Sequence, residues 1–358
     1  MRKYFIVFGL CCALLYGLPV SSQAQSQLQL IKQDNLYGFI DGTGRIVVAP
    51  QFDEARQYSE GLALVRLCNR FGYVDKTGQY DINPQFEDAD SFEEDLACVK
   101  IKGKWGFIDK NGRFVISPQF DQASPFSEGL ARVKIGGKFG FIDKSGRFVV
   151  NPQFNRADAY SEGMARVDIN GKSGYFDKSG KQAINGQFDK AASFSEGLAC
   201  AKIEGKWGFI DKTGRYVINP QFEDAYSFHD GLAKVKSSGK WGFIDKDGSY
   251  MVNPQFESVE PFSDGLACVV SAGKRGFINS KGALIISPKY DDGHSFSEGM
   301  ARVRVSGKWG YIDKNGKVVI NPQFEKAYNF SGPVARVRVD GRMAYIDKSG
   351  KLIWKQTK

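Results

Sequence analysis

A motif of aromatic, Gly, aromatic, Ile and Asp recurs along the 358-residue chain, with its glycines at 38, 72, 106, 140, 174, 208, 242, 276 and 310. Every step is 34 residues, and Ala344 holds the tenth slot. A strict period with no insertion describes ten copies of one unit, starting near residues 28, 62, 96, 130, 164, 198, 232, 266, 300 and 334. A unit this short cannot bury its own apolar face, so neighbours must stack on one another. The two or three independent domains that length alone suggests are thereby excluded, and residues 25–358 are expected to form one continuous array.

The period also explains a composition rich in both glycine (41) and phenylalanine (28). Four columns hold 34 of the glycines: before the Lys of the motif (Gly103), after the Trp position (Gly106), at the close of the Asp-Lys-x-Gly turn (Gly112), and in Ser-Glu-Gly-Leu-Ala (Gly129). Asn35 and Asn69 replace Gly in the first column, and both residue types tolerate positive φ, so that column reads as a hairpin turn. The columns of Trp105, Phe107, Phe120 and Phe126 hold 35 of the 48 aromatics.

The unit Leu130–Gly163 shows the local pattern. Ala131, Val133 and Ile135 alternate with Arg132 and Lys134, as in a half-exposed strand. Gly136-Gly137 turns the chain into a second, more buried strand, Lys138 to Asp143. Asp143-Lys144-Ser145-Gly146 is a turn in which the Asp side chain accepts from backbone N–H groups and Gly is left-handed. Arg147 to Val150 is a third strand, and Pro152, with no N–H to give, is expected to end the pairing. Gln153 to Gly163 then reads as an irregular return pinned by Phe154 and Tyr160.

The segment Gly103-Lys104-Trp105-Gly106-Phe107-Ile108-Asp109-Lys110-Asn111-Gly112 resembles the bacterial WG (KWG) repeat. The segments from Gly205, Gly239 and Gly307 do too, each running on to Asn-Pro-Gln-Phe. The markers are Trp105-Gly106, Trp207-Gly208, Trp241-Gly242 and Trp309-Gly310; Ser173, Arg275 and Met343 depart at the Trp position. The resemblance covers residues 28–358. It implies an all-β repeat protein, often exported, with a binding role, and supplies no ligand.

Three strands per unit, ten units and no terminal strand offered across a closure point to an open β-solenoid or superhelical array of three-stranded repeats. A large β-propeller is the alternative, although blades usually have four strands and rings four to eight blades.

At the N-terminus, Met1-Arg2-Lys3 precedes an apolar run from Tyr4 to Leu18, broken by Pro19 and followed by Ser22-Gln23-Ala24. This layout is that of a secretory signal peptide over residues 1–24, with an apolar core too short to span a membrane. Removing it takes away Arg2 and Lys3, so 49 cations become 47 against 40 carboxylates, a net charge of +7. The mature chain is expected to carry no transmembrane segment and to lie in the periplasm, on the cell surface or outside the cell.

Chemistry-bearing residues mostly find structural explanations. His229 and His294 have no recognisable nucleophile partner, and no Cys/His spacing suits zinc. Cys98, Cys200 and Cys268 share one column, separated by three units and then two, too far apart for a bridge; they read as replacements at an outward-facing site, and with Cys68 form no expected disulfide. Two acidic columns, those of Asp143 and Glu128, suit turn and loop satisfaction better than calcium. No catalytic residue, metal or cofactor is therefore expected.

Two surfaces remain as candidates. Strand one carries a basic stripe of Arg132, Lys134, Arg166, Lys202, Lys234, Lys236, Arg302, Arg304, Arg336 and Arg338, suited to an anionic glycan or an acidic protein, or simply to a solvated strand face. Nucleic acid is not expected of an exported chain at this charge. The Trp column could stack on sugars, but Trp105 shares a strand face with Phe107, which favours packing. The expected function is an exported, non-enzymatic repeat scaffold binding protein or glycan partners at the bacterial envelope. The alternative is an envelope hydrolase with its site in one aberrant repeat, Gly186 to Gly197 or Ala272 to Asp292.

Overall fold

The computed structural model describes residues 28–357, and the expected signal peptide lies outside them. Among the described residues there is no helix, and the strands form ten antiparallel sheets. The fourth sheet, containing Leu130–Ile135, Lys138–Asp143 and Phe148–Phe154, holds the three expected strands. It gains a further strand, Gln122–Ser127, from the return of the preceding unit, with Gln122 opposite Lys134 and Ala123 opposite Val133. The return is therefore not wholly irregular. Its strand is only two residues long in most units, such as Asp88–Ala89 and Asp224–Ala225, too short for any period to show. Blade one (Gln29–Gln33, Leu36–Ile40, Ile46–Phe52) and blade five have three strands among the described residues.

Pro152 does not end the third strand. Phe139 faces Phe154 while Phe141 faces Val150, so two steps along one strand match four along the other. The additional residues, Asn151 and Pro152 among them, form a wide bulge in which a missing N–H costs no ladder bond. The bulge explains the glycine of the Trp-Gly pair. A Cβ on Gly140 would lie 2.6 Å from the Val150 carbonyl oxygen and 2.7 Å from the Pro152 nitrogen. Ala344 is admitted in the tenth unit because the last strand, Leu352–Lys355, pairs Ala344 with Lys355 and carries no such bulge over it.

The hairpin and turn readings hold. Asn35 and Asn69 sit at φ 65° and 60°, as Gly103 does at 76°. The Asp143 carboxylate accepts from the Ser145 and Arg147 N–H groups at 2.9 and 3.1 Å.

Apolar side chains are buried between blades. One cluster joins Cys98, Phe107, Ile116 and Phe120 of the third blade to Ala131, Val133 and Ile142 of the fourth, and the pattern repeats around the molecule. A tenth cluster, Ile31, Ile40, Val334 and Tyr345 with Ile353 and Trp354, joins the last blade to the first. The array is thus closed into a ten-bladed propeller, and the open solenoid expected first is corrected to its alternative. Among the described residues no strand is donated across the closure, and blade-to-blade packing joins the ends as it joins the other pairs.

A polar girdle reinforces these joints at the rim carrying the Asp turns. Glu94 accepts from the Gly129 N–H at 2.9 Å and meets Lys144 at 3.3 Å. Ser127 reaches the Tyr160 carbonyl at 3.0 Å. Glu128, Glu162 and Glu196 repeat the first contact on Gly163, Gly197 and Gly231. The two acidic columns are thereby engaged in turns and joints.

Candidate functional site

Third strands lie outermost, their early residues such as Ile46, Val115, Leu284 and Val318 exposed. The short return strands lie innermost, where neighbouring blades converge: Arg56 meets Asp90 of the next blade at 2.6 Å, and Glu260 meets His294 at 3.0 Å. They line the central channel. Their middle column is small and packed inward (Ala89, Ala157 and Ala225 buried, Ala123 partly so), while the flanking positions vary and are mostly polar. Those flanking residues were missed from sequence. An almost unvarying Ala between two variable polar positions was the available signal.

The basic stripe divides into two columns with different surroundings. Arg132, Arg166, Lys234, Arg302 and Arg336 share a column with Cys98, Cys200 and Cys268, facing the next blade. Arg132 donates to the Ala157 carbonyl and to Ser124 Oγ, and Arg302 to the Ala327 carbonyl. Arg166 pairs with Asp158 at 2.6 Å. Burial lowers the pKa of Arg132, Arg302 and Lys234, because a low-polarity surrounding disfavours the charged form. Except at Arg336, which is exposed, the column is therefore no solvated face. The three cysteines are buried here rather than outward-facing, and burial raises the Cys200 thiol to about 11 and Cys268 to about 12.

The second column, Lys134, Lys202, Lys236, Arg304 and Arg338, stays partly open and lies over the Trp column. Lys202 sits 5.8 Å from the Trp207 ring centre, and Lys236 5.9 Å from Trp241. Lys134 covers Phe139 at 4.9 Å, and Arg304 covers Trp309 at 5.7 Å. Such cation–aromatic contacts hold the charges at the wall instead of letting them range in solvent. Trp105, Trp207 and Trp241 pack against the clusters between blades, and cations lie over the rings of Trp207, Trp241 and Trp309. The glycines of the Trp-Gly pairs, 106, 208, 242 and 310, all sit under the bulge of the third strand.

The aberrant repeat Ala272 to Asp292 builds a polar cluster with its neighbours. Arg275, at a Trp position, meets Asp292 at 3.0 Å and Glu260 at 3.7 Å. Glu260 also accepts from the Ser295 N–H at 2.7 Å and its hydroxyl at 2.9 Å. Although burial opposes it, the His294 and Ser295 hydrogen bonds hold Glu260 down at about 2. A carboxylate so fully engaged is a poor proton donor near neutral pH. The other aberrant repeat, Gly186 to Gly197, brings no comparable cluster together.

A family model described as WG containing repeat matches residues 37–69, 71–105, 105–139, 139–172, 174–207, 207–241, 241–274, 276–309 and 309–342. No curated protein matches the sequence. Among solved structures, a eukaryotic initiation factor shares 12% identity over 93% of this chain and 96% of its own, with a TM-score of 0.53. The dihydro-heme d1 dehydrogenase NirN shares 12% over 87% and 76%, at 0.38. Kluyveromyces lactis Hsv2p shares 8% over 63% and 92%, at 0.36. The first likeness supports the fold alone, and the other two are too distant to add to it.

Proposed function

Given that this chain belongs to the family of WG containing repeats, we propose that it is an exported, non-enzymatic ring scaffold. Its channel wall binds an anionic glycan or acidic protein partner at the bacterial envelope. The observation that carries this reading is the second basic column, in which Lys134, Lys202, Lys236 and Arg304, on the strand next to the innermost one, are each held over an aromatic ring. Cations fixed at repeated spacing favour a polyanion through many weak contacts acting together. The signal-peptide layout of residues 1–24 supports export, and no helix of the described residues is long and apolar enough to cross a membrane.

The test is binding of residues 25–358 to envelope fractions and to a heparin-derived oligosaccharide as an anionic probe. Saturable binding is expected, weakening as salt rises and falling several-fold in a Lys134→Ala, Lys236→Ala, Arg304→Ala triple variant. Binding indifferent to both changes, or no binding, overturns the reading. The hydrolase alternative gains little support, since the cluster around Glu260 is saturated by its own contacts and the Cys268 thiol beside it is protonated at neutral pH.

A further inference from the structure

A cavity of about 450 Å³ opens on the channel where the third and fourth blades meet. Trp105, Asp88, Asp90, Arg56, Arg132 and Ser124 are among the side chains that line it. Its volume falls within the range of about 300–1,000 Å³ usual for small-ligand sites.

Trp105 differs from Trp207, Trp241 and Trp309. Each of those carries a Lys or Arg over its ring, at 5.8 Å for Lys202, 5.4 Å for Lys234 and 5.3 Å for Arg302. No such cation lies over Trp105 among the described residues. Cys98 stands where the fourth blade has Arg132, its thiol turned to the Asp90 carboxylate at 3.4 Å, and Lys100, opposite Trp105 across the strand pair, lines the cavity instead of lying over the ring. The indole is left to line the cavity.

The charges around it balance. Arg56 is paired with Asp90 at 2.6 Å, and Arg132 is committed to Ala157 and Ser124. Asp121 is held by Lys104 at 2.6 Å. Asp88 stands opposite Lys100 across the strand pair. A strong anion would meet the carboxylates and a cation the guanidinium groups, so neither is favoured. What suits an indole ringed by carboxylates, a hydroxyl and guanidinium groups is a molecule with one apolar C–H face and a rim of hydroxyls that both donate and accept. That is a pyranose ring.

We propose that this cavity is a subsite for an uncharged sugar residue, stacked on Trp105 and hydrogen-bonded at its rim by Asp88. It rests on the scaffold reading above and assigns one specific position on the wall to the sugar rings of a glycan partner.

The test titrates residues 25–358 with neutral trisaccharides, namely chitotriose, maltotriose and cellotriose, and follows tryptophan fluorescence and calorimetric heat. Saturable binding to at least one of them is expected, little affected by salt. It should weaken at least ten-fold in Trp105→Ser and in Asp88→Ala, and remain unchanged in Trp207→Ser. Serine at Ser173 shows that the ring folds with that residue in the column, and Asp88→Ala provides a second reading that leaves the indole in place. No neutral sugar bound, or undiminished binding in both variants, overturns the subsite. If envelope binding persists in those variants while the sugars fail to bind, the subsite falls and the scaffold stands. If envelope binding is itself absent, the scaffold falls.

Discussion

The hydroxyl of Tyr345 donates to the backbone carbonyl of Leu30 at 2.6 Å, across 315 residues of sequence. Elsewhere in the same column, Tyr73, Tyr175 and Tyr311 donate 17 residues ahead, to the carbonyls of Asp90, Ala192 and Tyr328. At the join of last and first blades no described inner strand holds that place, and the bond falls on strand one instead. Among the described residues the Glu–Lys pair of the girdle is also absent there. Gly332 and Gly42 stand in the columns that hold Glu94 and Lys144 at an ordinary joint.

Closure among the described residues rests chiefly on the small cluster around Ile31 and Val334, with the Tyr345 bond beside it. Tyr345→Phe should cost about 1 kcal/mol, since it leaves a part-buried carbonyl without this partner. Hydrogen exchange should quicken in Gln29–Gln33 and Leu352–Lys355 before other strands respond. Tyr73→Phe, inside a joint that keeps its girdle, should quicken exchange only locally. Equal exchange in the two variants would show that the seam is no weaker than other joints.

The glycine beneath the third-strand bulge gives a sharper test. Gly140→Ala places a methyl group against the Val150 carbonyl and Pro152, a clash between backbone atoms that no rotamer relieves. A loss of about 1–3 kcal/mol or more is expected from overpacking alone. Ala344→Gly, where no bulge lies overhead, should cost only about 0.5–1 kcal/mol through added backbone freedom. Chemical denaturation of the two variants decides it, and equal losses would remove the bulge as the cause.

Much of this unit was legible from residues alone, because its turns and glycines are dictated locally. Asp143 announces its turn, and Asn35 standing in for Gly announces a left-handed position. Pro152 was misleading because a missing N–H is compatible with either the end of a strand or a bulge within it. Asp88–Ala89 is too short to show a period, so the fourth strand and the channel wall it builds were not seen. The fate of Arg132 depends on the blade ahead of it, and closure depends on Leu30 meeting Tyr345. Neither relationship is local, and so neither can be read from one unit.

The cysteines should separate into two classes. Cys68 is exposed, whereas Cys98, Cys200 and Cys268 are buried between blades. Burial raises all three buried thiols, Cys98 well above the ordinary cysteine range and Cys268 to about 12, and the thiolate is the reactive form. Iodoacetamide on folded residues 25–358 should modify Cys68 alone, and all four after denaturation. Mass-spectrometric mapping provides the measurement, and rapid labelling of Cys200 in the folded ring would contradict the burial.

Acid should loosen the turns. The Ser145 hydroxyl foremost, then the backbone N–H groups of Arg147 and Ser145, bring Asp143 from 3.8 down to about 2. Asp41, Asp177, Asp211 and Asp347 are lowered in the same way, each led by a Thr or Ser hydroxyl. A carboxylate whose folded pKa lies below its unfolded value adds stability above the unfolded value and loses it as pH falls through the folded one. The window is therefore from 3.8 down to about 2. These groups are open to solvent, so each contributes modestly, but the turn repeats around the ring and the losses accumulate. Thermal melts followed by circular dichroism should be steady above that window and fall progressively within it. Ser145→Ala should lower the melting temperature above the window and flatten the fall inside it, and a melting temperature constant across the window would exclude the turns as acid-sensitive supports.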